Sequence, residues 1–397
     1  MDWKDFILTH EGDDPARLVL SRDRYPGVDV ALAAATLESR RKLQDKVPEW
    51  YAEPGLILPR RLSAEQCSST VTARYKAALA ASVCSGSARM ADLTGGLGVD
   101  SWAFSEVFGE VLYNEMDPQL ADAARHNFAL LRRGNITVRC HKVGETPLAE
   151  ILDGFVPDIL FLDPARRDGA GKKVFLLEDC SPDVTGLLAD LYAAAPHILL
   201  KLSPMADIAM LLERLPGVKE LHILSVKGEC KELLLLLERG WTEEAVIVAD
   251  GFRFRRSEEA SAVASFALPE AGGVLFEPGK SLMKAGCFKL LSERTGMRAV
   301  GAGSHLYLAQ DEDLPRLKEM GKCFRILEVL PLDKRSMAAA GKKYPGADVS
   351  ARGVKMTSEQ LRGRLGPVKA GEEGLHIWGL HADSAAKNIL LATRRIL

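Results

Sequence analysis

The chain has 397 residues, a net charge of −2 and 47% hydrophobic residues. This length predicts two or three domains with enough apolar material for a sizeable core. No apolar run approaches the roughly eighteen residues of a membrane-spanning helix, which argues against an integral membrane protein.

The seven cysteines stand singly, without a CxxC pair. This spacing predicts neither a zinc site nor a disulfide framework, and we assign no metal. The N-terminal segment MDWKDFILTH lacks the layout of a secretion signal. We therefore expect reduced thiols in a cytoplasmic protein.

Positive charge is concentrated near the C-terminus. Residues 316–397 contain 16 Lys plus Arg against 8 Asp plus Glu, so the rest of the chain is acidic. Such asymmetry is typical of a module that faces a polyanion, and equally of a solvated lysine-rich surface. Charge alone leaves both interpretations open.

Residues 1–85 are predicted to form a helical N-terminal domain. The segment from Val30 to Val47 is rich in helix formers and follows Asp29, a candidate N-cap. A later helix is predicted to begin at Ser63, with Gln66 three residues on as its capping-box partner.

From Met90 the pattern alternates between short apolar strands and helices. The strands are RMADL, VLYNE, ITVRCH, DILFLD and HILLKL. Continuous apolar runs of this kind predict a buried, parallel, doubly wound sheet. KELHILSV and KELLLLLER flank KGEC and predict a hairpin with an antiparallel strand. We assign this α/β domain to residues 86–262.

Beyond about residue 265, glycines separate short segments such as GGVLFEPGK, SHLYLAQ and CFRILEVLPL. This pattern predicts a small α+β region, which we divide into residues 263–332 and the basic residues 333–397.

The segment MADLTGGLGVDS, residues 90–101, joins the first strand to the first helix of the sheet. It lacks the Gly-Lys-Ser/Thr ending of a phosphate loop, and Ser101 stands where GxGxxG requires its third glycine. Asp92 and Asp100 would each repel a pyrophosphate, by roughly 1–4 kcal/mol per close pair near a surface. Both phosphate-bearing ligands are therefore disfavoured.

A positively charged nucleoside would instead be attracted by these acids. S-adenosylmethionine carries a sulfonium and an α-ammonium group and has no phosphate. Asp92, at the end of the first strand, suits the ammonium group, directly or through water. Glu115 ends the second strand, where a carboxylate can accept hydrogen bonds from both ribose hydroxyls. The acid, the glycine loop and the second acid together predict this cofactor.

DLTGGLGVDS, YNEMDP and FLDPARRD resemble class I S-adenosylmethionine-dependent methyltransferases. EQCSSTVTARYKA, KLSPMAD, FEPGKSLMKAGCFKLL and SEQLRGRLG resemble, more closely, a bacterial methyltransferase family with a THUMP-like C-terminus. The resemblance implies a helical N-terminal part, a Rossmann-like seven-stranded sheet, a ferredoxin-like unit over 263–332 and a THUMP-like domain over 333–397. THUMP domains of other enzymes are associated with structured RNA, and together with the basic C-terminal residues this favours an RNA partner. The resemblance does not supply the substrate of this family itself.

The resemblance also implies site residues. The cofactor set comprises Asp92, Thr94, Gly96, Gly98, Asp100, Glu115, Met116 and Asp163. Where many relatives place an acid for the adenine amino group, this chain has CHKVGE. Lys142 or Val143 would stand there, so adenine recognition falls to the backbone, or to Glu145 if the register shifts.

The reactive corner is assigned to Asp163, Pro164 and Arg166 at the end of the fourth strand. Asp163 would orient the acceptor, and Arg166 either clamps a phosphate or is a solvated loop charge. Relatives that methylate amino groups often end this motif in an aromatic that stacks on a flipped base. Ala165 stands here instead, which disfavours adenine amino groups and leaves guanine, ribose or another acceptor open. Lys201 is a candidate for a structural ion pair or a catalytic role.

The first hypothesis is methyl transfer from S-adenosylmethionine to tRNA or rRNA. The alternatives are a methyltransferase for a small molecule or a protein, and a non-catalytic RNA-binding protein with a retained cofactor site. The acids Asp92, Glu115 and Asp163 argue against the last of these.

Overall fold

The computed structural model describes residues 2–166, 177, 180–366 and 373–397. The chain divides into two compact units, Met1–Leu221 with Leu233–Glu243, and His222–Glu232 with Glu244–Leu397. No helix among the described residues combines the length and apolar character needed to cross a membrane.

The N-terminal part of the first unit is helical, as predicted. Its helices are α1 (Trp3–Thr9), α2 (Pro15–Leu20), α3 (Val30–Leu43), α4 (Pro48–Tyr51), α5 (Arg61–Gln66) and α6 (Thr70–Ala81). Asp29 caps α3 as expected, because its side chain accepts a 3.0 Å hydrogen bond from the amide of Leu32. The helix ends at Leu43 rather than Val47, and Pro48 disfavours helical backbone at the residue before it.

The predicted cap at Ser63 is wrong. Ser63 lies inside α5, whose N-cap is Arg60 and has no side-chain capping bond. The capping box belongs to the next helix, α6, where the Ser69 hydroxyl accepts from the amide of Thr72 and the Thr72 hydroxyl accepts from the amide of Ser69. Two hydroxyls here replace the Ser and Gln pair that the sequence suggested.

The first unit also contains strands of a sheet in the order β3-β2-β1-β4-β7-β9-β8. Of these, β8 and β9 belong to it only in part, because His222–Glu232 is assigned to the second unit. The strands are β1 (Arg89–Asp92), β2 (Glu110–Asn114), β3 (Ile136–Arg139), β4 (Ile159–Leu162), β7 (His197–Leu202), β8 (Val218–Val226) and β9 (Glu229–Glu238). The first five run parallel, and β9 is antiparallel to β7. The doubly wound sheet with an antiparallel strand is therefore confirmed.

Helices connect these strands: α7 (Val99–Phe104), α8 (Pro118–Leu130), α9 (Leu148–Leu152), α10 (Val184–Ala194) and α11 (Ile208–Arg214). Two short strands, β5 (Ala165–Arg166) and β6 (Cys180–Ser181), form a separate antiparallel pair. The predicted hairpin between β8 and β9 turns at Lys227 and Gly228, both with positive φ, as a two-residue hairpin loop requires. All four residues of β4 are at most 1% exposed, which explains its uninterrupted apolar sequence.

The second unit begins its own elements with β10 (Val246–Ala249), β11 (Phe252–Phe254) and α12 (Arg256–Ser261). A seven-stranded, mainly antiparallel sheet follows, with the order β13-β14-β12-β15-β18-β17-β16. Its strands are β12 (Val274–Pro278), β13 (Arg298–Ala299), β14 (Tyr307–Ala309), β15 (Gly321–Pro331), β16 (Asp348–Arg352), β17 (Leu375–Ala382) and β18 (Lys387–Arg395). The helices are α13 (Lys280–Ala285), α14 (Phe288–Thr295), α15 (Leu314–Leu317), α16 (Lys334–Lys343) and α17 (Ser358–Leu365).

Strand β15 pairs with β12 on one side and β18 on the other. The regions before and after residue 332 therefore share one sheet. The four-part division of the chain stays a prediction.

Candidate functional site

The predicted site lies at the carboxyl edge of the parallel strands in the first unit. Asp92 ends β1, Glu115 follows β2, Asp163 follows β4, and Lys201 lies near the end of β7. Hydrogen bonds described below join the loops after these strands. This edge is where doubly wound folds bind their ligands.

Asp92 is fully buried beneath the glycine loop. One carboxylate oxygen accepts a 2.6 Å hydrogen bond from the Ser101 hydroxyl, and the other accepts a 3.1 Å bond from the amide of Thr94. Burial, and to a lesser extent the nearby Asp100, raise the pKa of Asp92 to about 8 against the lowering effect of the Ser101 hydrogen bond. The raised pKa favours the protonated form of this buried carboxyl, which organises the loop through its two hydrogen bonds.

The loop backbone depends on glycines, including one that the sequence analysis left out. A Cβ at Gly95 would lie 2.1 Å from the ring of Tyr113, so the site requires glycine. Gly98 has φ of 95° and a Cβ there would lie 2.7 Å from the Phe128 ring. Gly96 differs, because its φ is 55° and no atom lies within 4 Å of an added Cβ. The Gly96 backbone thus faces open space, as close approach of a ligand requires.

Glu115 is tied to this loop. One carboxylate oxygen accepts a 2.8 Å hydrogen bond from the amide of Gly96, and the other accepts a 2.9 Å bond from the amide of Asp117. Each carboxylate oxygen has a second lone pair, so capacity remains for the two ribose hydroxyls. The neighbouring Met116 is 60% exposed.

Asp100 differs most from its predicted electrostatic role. Its carboxylate lies 3.1 Å from the ammonium of Lys76 in α6, and it accepts a 2.8 Å hydrogen bond from the Ser68 hydroxyl. Lys76 is fully buried and also donates to the Ser68 hydroxyl at 2.8 Å. A buried cation therefore balances the Asp100 charge, which weakens its expected repulsion of a pyrophosphate, and its role in cofactor binding stays a prediction.

Lys76 was missed, although the sequence contains a signal for it. It lies on the same helical face as Ala73, Ala77 and Ala80, all of them buried. Residues at this spacing form one stripe of a helix. A lysine within an apolar stripe requires a buried partner, since an unpaired buried charge is very costly.

At the reactive corner, Asp163 is held from two sides. Its backbone amide donates a 2.6 Å hydrogen bond to the Thr94 hydroxyl, and its carboxylate forms an ion pair with Lys201. The Asp163 side chain is 37% exposed, while that of Lys201 is only 12% exposed. Thr94 therefore links the loop after β1 to the reactive corner. Pro164 is buried, and the Arg166 side chain lies outside the described residues.

The candidates for adenine recognition lie in the loop after β3. Lys142 and Glu145 form an exposed ion pair at 2.5 Å. Val143 and Glu145 line a cavity of about 220 Å³ together with Leu187 and Asp190 of α10. Val143 and Glu145 therefore lie beside this cavity. Their role in adenine recognition stays a prediction. Within the described part of the chain, no group of three metal-ligating side chains is arranged around a metal position.

The site fits S-adenosylmethionine. No atom lies within 4 Å of an added Cβ at Gly96, so a ligand can approach the loop backbone, and Glu115 has lone pairs for ribose hydroxyls. The Asp92 carboxyl, whose pKa is raised by burial, can ionise toward a cation. The ion pairs of Asp100 and Asp163 mean that fewer free negative charges surround the loop than the sequence indicated. The fit therefore rests on loop shape and on Glu115 more than on net charge.

Comparisons with known proteins agree with this fit. A ferredoxin-like domain model matches residues 275–315 and a THUMP domain-like model matches residues 321–395. Two curated proteins from Mycobacterium tuberculosis, strains CDC 1551 and H37Rv, are described as uncharacterized S-adenosylmethionine-dependent methyltransferases. Each is 26% identical over 281 residues, which span 69% of this chain and 72% of the relative.

A solved structure from Porphyromonas gingivalis W83, described as a candidate methyltransferase, matches with a TM-score of 0.85 and 29% identity. The match covers 99% of this chain and 97% of the other. By its fold, its loop and its relatives, the chain is an S-adenosylmethionine-dependent methyltransferase with ferredoxin-like and THUMP-like C-terminal regions.

Proposed function

We propose that this protein methylates structured RNA, either tRNA or rRNA, in the cytoplasm. The cofactor supplies a methyl group on a sulfonium sulfur, which is already activated for displacement. The protein's task is then alignment of the acceptor atom, which can lower a barrier by several kcal/mol. The seven cysteines are free thiols, which supports a reducing compartment.

The observation that carries the RNA assignment is a basic helical surface in the THUMP-like region. Helices α16 and α17 contact each other, and Met337, Ala340 and Leu361 share one buried cluster on their inner side. The two helices carry six exposed cations: Lys334, Arg335, Lys342, Lys343, Arg362 and Arg364. Of these, Lys343 also pairs with Glu328 at 2.9 Å. We name these six residues the basic helical surface. Clustered cations of this kind neutralise phosphates along a nucleic-acid backbone.

In this proposal the acceptor's N–H or O–H donates a hydrogen bond to the Asp163 carboxylate. Lys201 pairs with that carboxylate and fixes its orientation. Bound S-adenosylmethionine would supply the methyl group to the acceptor atom and would keep the electron pair of the broken carbon–sulfur bond on its sulfur. The acceptor's proton leaves through Asp163 or to water. Asp92, Thr94, Gly96, Gly98 and Glu115 hold the cofactor beside this corner.

RNA binding is tested by a salt series on total tRNA and rRNA. Replacing Lys334, Arg335 and Lys342 with alanine removes three exposed charges, and we expect the slope of log affinity against log salt to become shallower by about two to three. Arg17, Arg22 and Arg24 are exposed cations of the first unit and supply the matched triple-alanine control. A flat slope for the wild type, or equal effects of both triple variants, contradicts this surface as the RNA site.

The product is identified by mass spectrometry of nucleosides. RNA from cells that lack the gene is incubated with the protein and S-adenosylmethionine, then digested. A new methylated nucleoside supports the proposal and names the methylated atom. Cofactor binding without any methylated nucleoside would instead favour the small-molecule or protein substrate.

A further inference from the structure

We propose that Lys76 is a positioning residue for the cofactor site. By pairing with Asp100 it fixes the first turn of α7. Asp92 is then the carboxyl whose ionisation accompanies binding of the cationic cofactor. The proposal requires S-adenosylmethionine as the cofactor and is independent of the acceptor. Its basis is the geometry of two adjacent residues in one helical turn.

Asp100 and Ser101 are consecutive residues at the start of α7, and their side chains bond to different partners. Asp100 bonds to Ser68 and Lys76 of the N-terminal helical region, at 2.8 and 3.1 Å. Ser101 bonds to Asp92 at 2.6 Å. The turn that follows the glycine loop is therefore held on one side by a buried charge pair and on the other by the acid at the end of β1.

Burial makes this arrangement sensitive to the loss of either charge. The Lys76 side chain is fully buried and that of Asp100 is 11% exposed. Two charges in such a setting interact strongly, and removal of one leaves the other uncompensated. Asp92 lies close enough to Asp100 for the two carboxylates to repel. The ammonium of Lys76 thus limits how much negative potential Asp92 experiences.

Other charged groups also face Asp92. Asp163 acts on it from the end of β4 and is itself paired with Lys201. Burial raises the pKa of Tyr113, from β2, and the neighbouring carboxylates of Glu115 and Asp92 raise it further. None of these groups is changed in the variants described below. A difference between variants in the pH midpoint of cofactor affinity is therefore caused by the change to the Lys76–Asp100 pair.

The test measures the affinity for S-adenosylmethionine between pH 5.5 and 8 by calorimetry. An ionised Asp92 attracts a cationic ligand, so the affinity of the wild type rises with pH toward a midpoint. Lys76→Met removes a positive charge and is expected to move this midpoint upward, on the order of one pH unit. Asp100→Asn removes a negative charge and is expected to move it downward. The cofactor's own titration is common to all variants and cancels in the comparison.

The double variant Lys76→Met/Asp100→Asn removes both charges, and we expect its midpoint to return close to that of the wild type. Lys42→Met is the matched control, because Lys42 pairs with Glu65 at 3.2 Å on the exposed side of the same helical region. Thermal unfolding of each free variant is measured in parallel. If Lys76→Met does not fold, Asp100→Asn and the double variant still give midpoints with different expected values.

A purely structural role would lower the unfolding temperature of the single variants and leave all midpoints equal, which would overturn the proposal. Opposite shifts in the two single variants support it. Failure of the wild type to bind S-adenosylmethionine would instead contradict the cofactor assignment itself.

Discussion

The Thr94 hydroxyl, in the loop after β1, accepts a 2.6 Å hydrogen bond from the backbone amide of Asp163 at the end of β4. This bond joins the glycine loop to the reactive corner. The position of Asp163 therefore depends on the conformation of the glycine loop.

Replacing Thr94 with valine preserves the side-chain shape and removes the acceptor. We expect the free energy of unfolding to fall by about 1–2 kcal/mol, because the Asp163 amide loses its partner. Methyl transfer should fall as well, since Asp163 loses its alignment. Thr94→Ser retains the hydroxyl and is the control. Urea unfolding and transfer assays check both effects, and equal behaviour of the two variants would show that the hydrogen bond has no role.

The carboxylate of Asp163 is the group we expect to contact the acceptor. Asp163→Ala should lower turnover by at least about 10²-fold while leaving the affinity for S-adenosylmethionine within a few-fold of the wild type. Asp122→Asn is the control, because Asp122 is also a carboxylate paired with a cation, Arg125, but is 75% exposed on α8. Survival of turnover in Asp163→Ala would remove Asp163 from the mechanism.

Lys201 is expected to act through Asp163. Lys201→Met should lower turnover by about 10- to 100-fold, because the carboxylate loses the partner that orients it. Combining Lys201→Met with Asp163→Ala should cost little more than Asp163→Ala alone, which a double-mutant cycle measures. Additive losses would mean that Lys201 acts independently of Asp163.

The sequence predicted the parts of the fold that depend on local pattern. The uninterrupted apolar run Ile159–Leu162 identified a central strand, and the acids at the strand ends lie, as predicted, along one edge of the sheet. The pairing of the site's acids with buried cations was not predictable from local pattern. Lys201 and Asp163, for example, are 38 positions apart in the sequence and come into contact only because β7 lies beside β4 in the sheet. The capping error at Ser63 has a similar origin, since two adjacent helices each offered a plausible hydroxyl.

Gly95 provides a test of how tightly the loop packs. Gly95→Ala would place a Cβ 2.1 Å from the Tyr113 ring, and we expect destabilisation of about 1–3 kcal/mol from overpacking. Gly134→Ala is the matched control, because no atom lies within 4 Å of its added Cβ and its φ is not positive. That change should be neutral or slightly stabilising. Denaturant unfolding distinguishes the two, and equal stability would contradict the close contact with Tyr113.

The Asp92 carboxyl should give the stability of the free protein a characteristic pH dependence. Because burial raises the pKa of Asp92 to about 8, the folded state retains its proton where an unfolded chain, with a pKa near 3.8, has lost it. The contribution to stability is therefore complete below about pH 4 and is lost as pH rises toward 8, by up to about 1.4 kcal/mol per pH unit.

Asp92→Asn removes this titration, because the amide stays neutral throughout. Its oxygen can still accept from the Thr94 amide, and its nitrogen can donate to the Ser101 hydroxyl. We expect the stability of the variant to decline less than that of the wild type between pH 5 and 8, as measured by urea unfolding at fixed ionic strength. Parallel pH profiles of the two proteins would mean that Asp92 is ionised in the folded state at neutral pH, and its buried carboxylate would then be charged before any cofactor arrives.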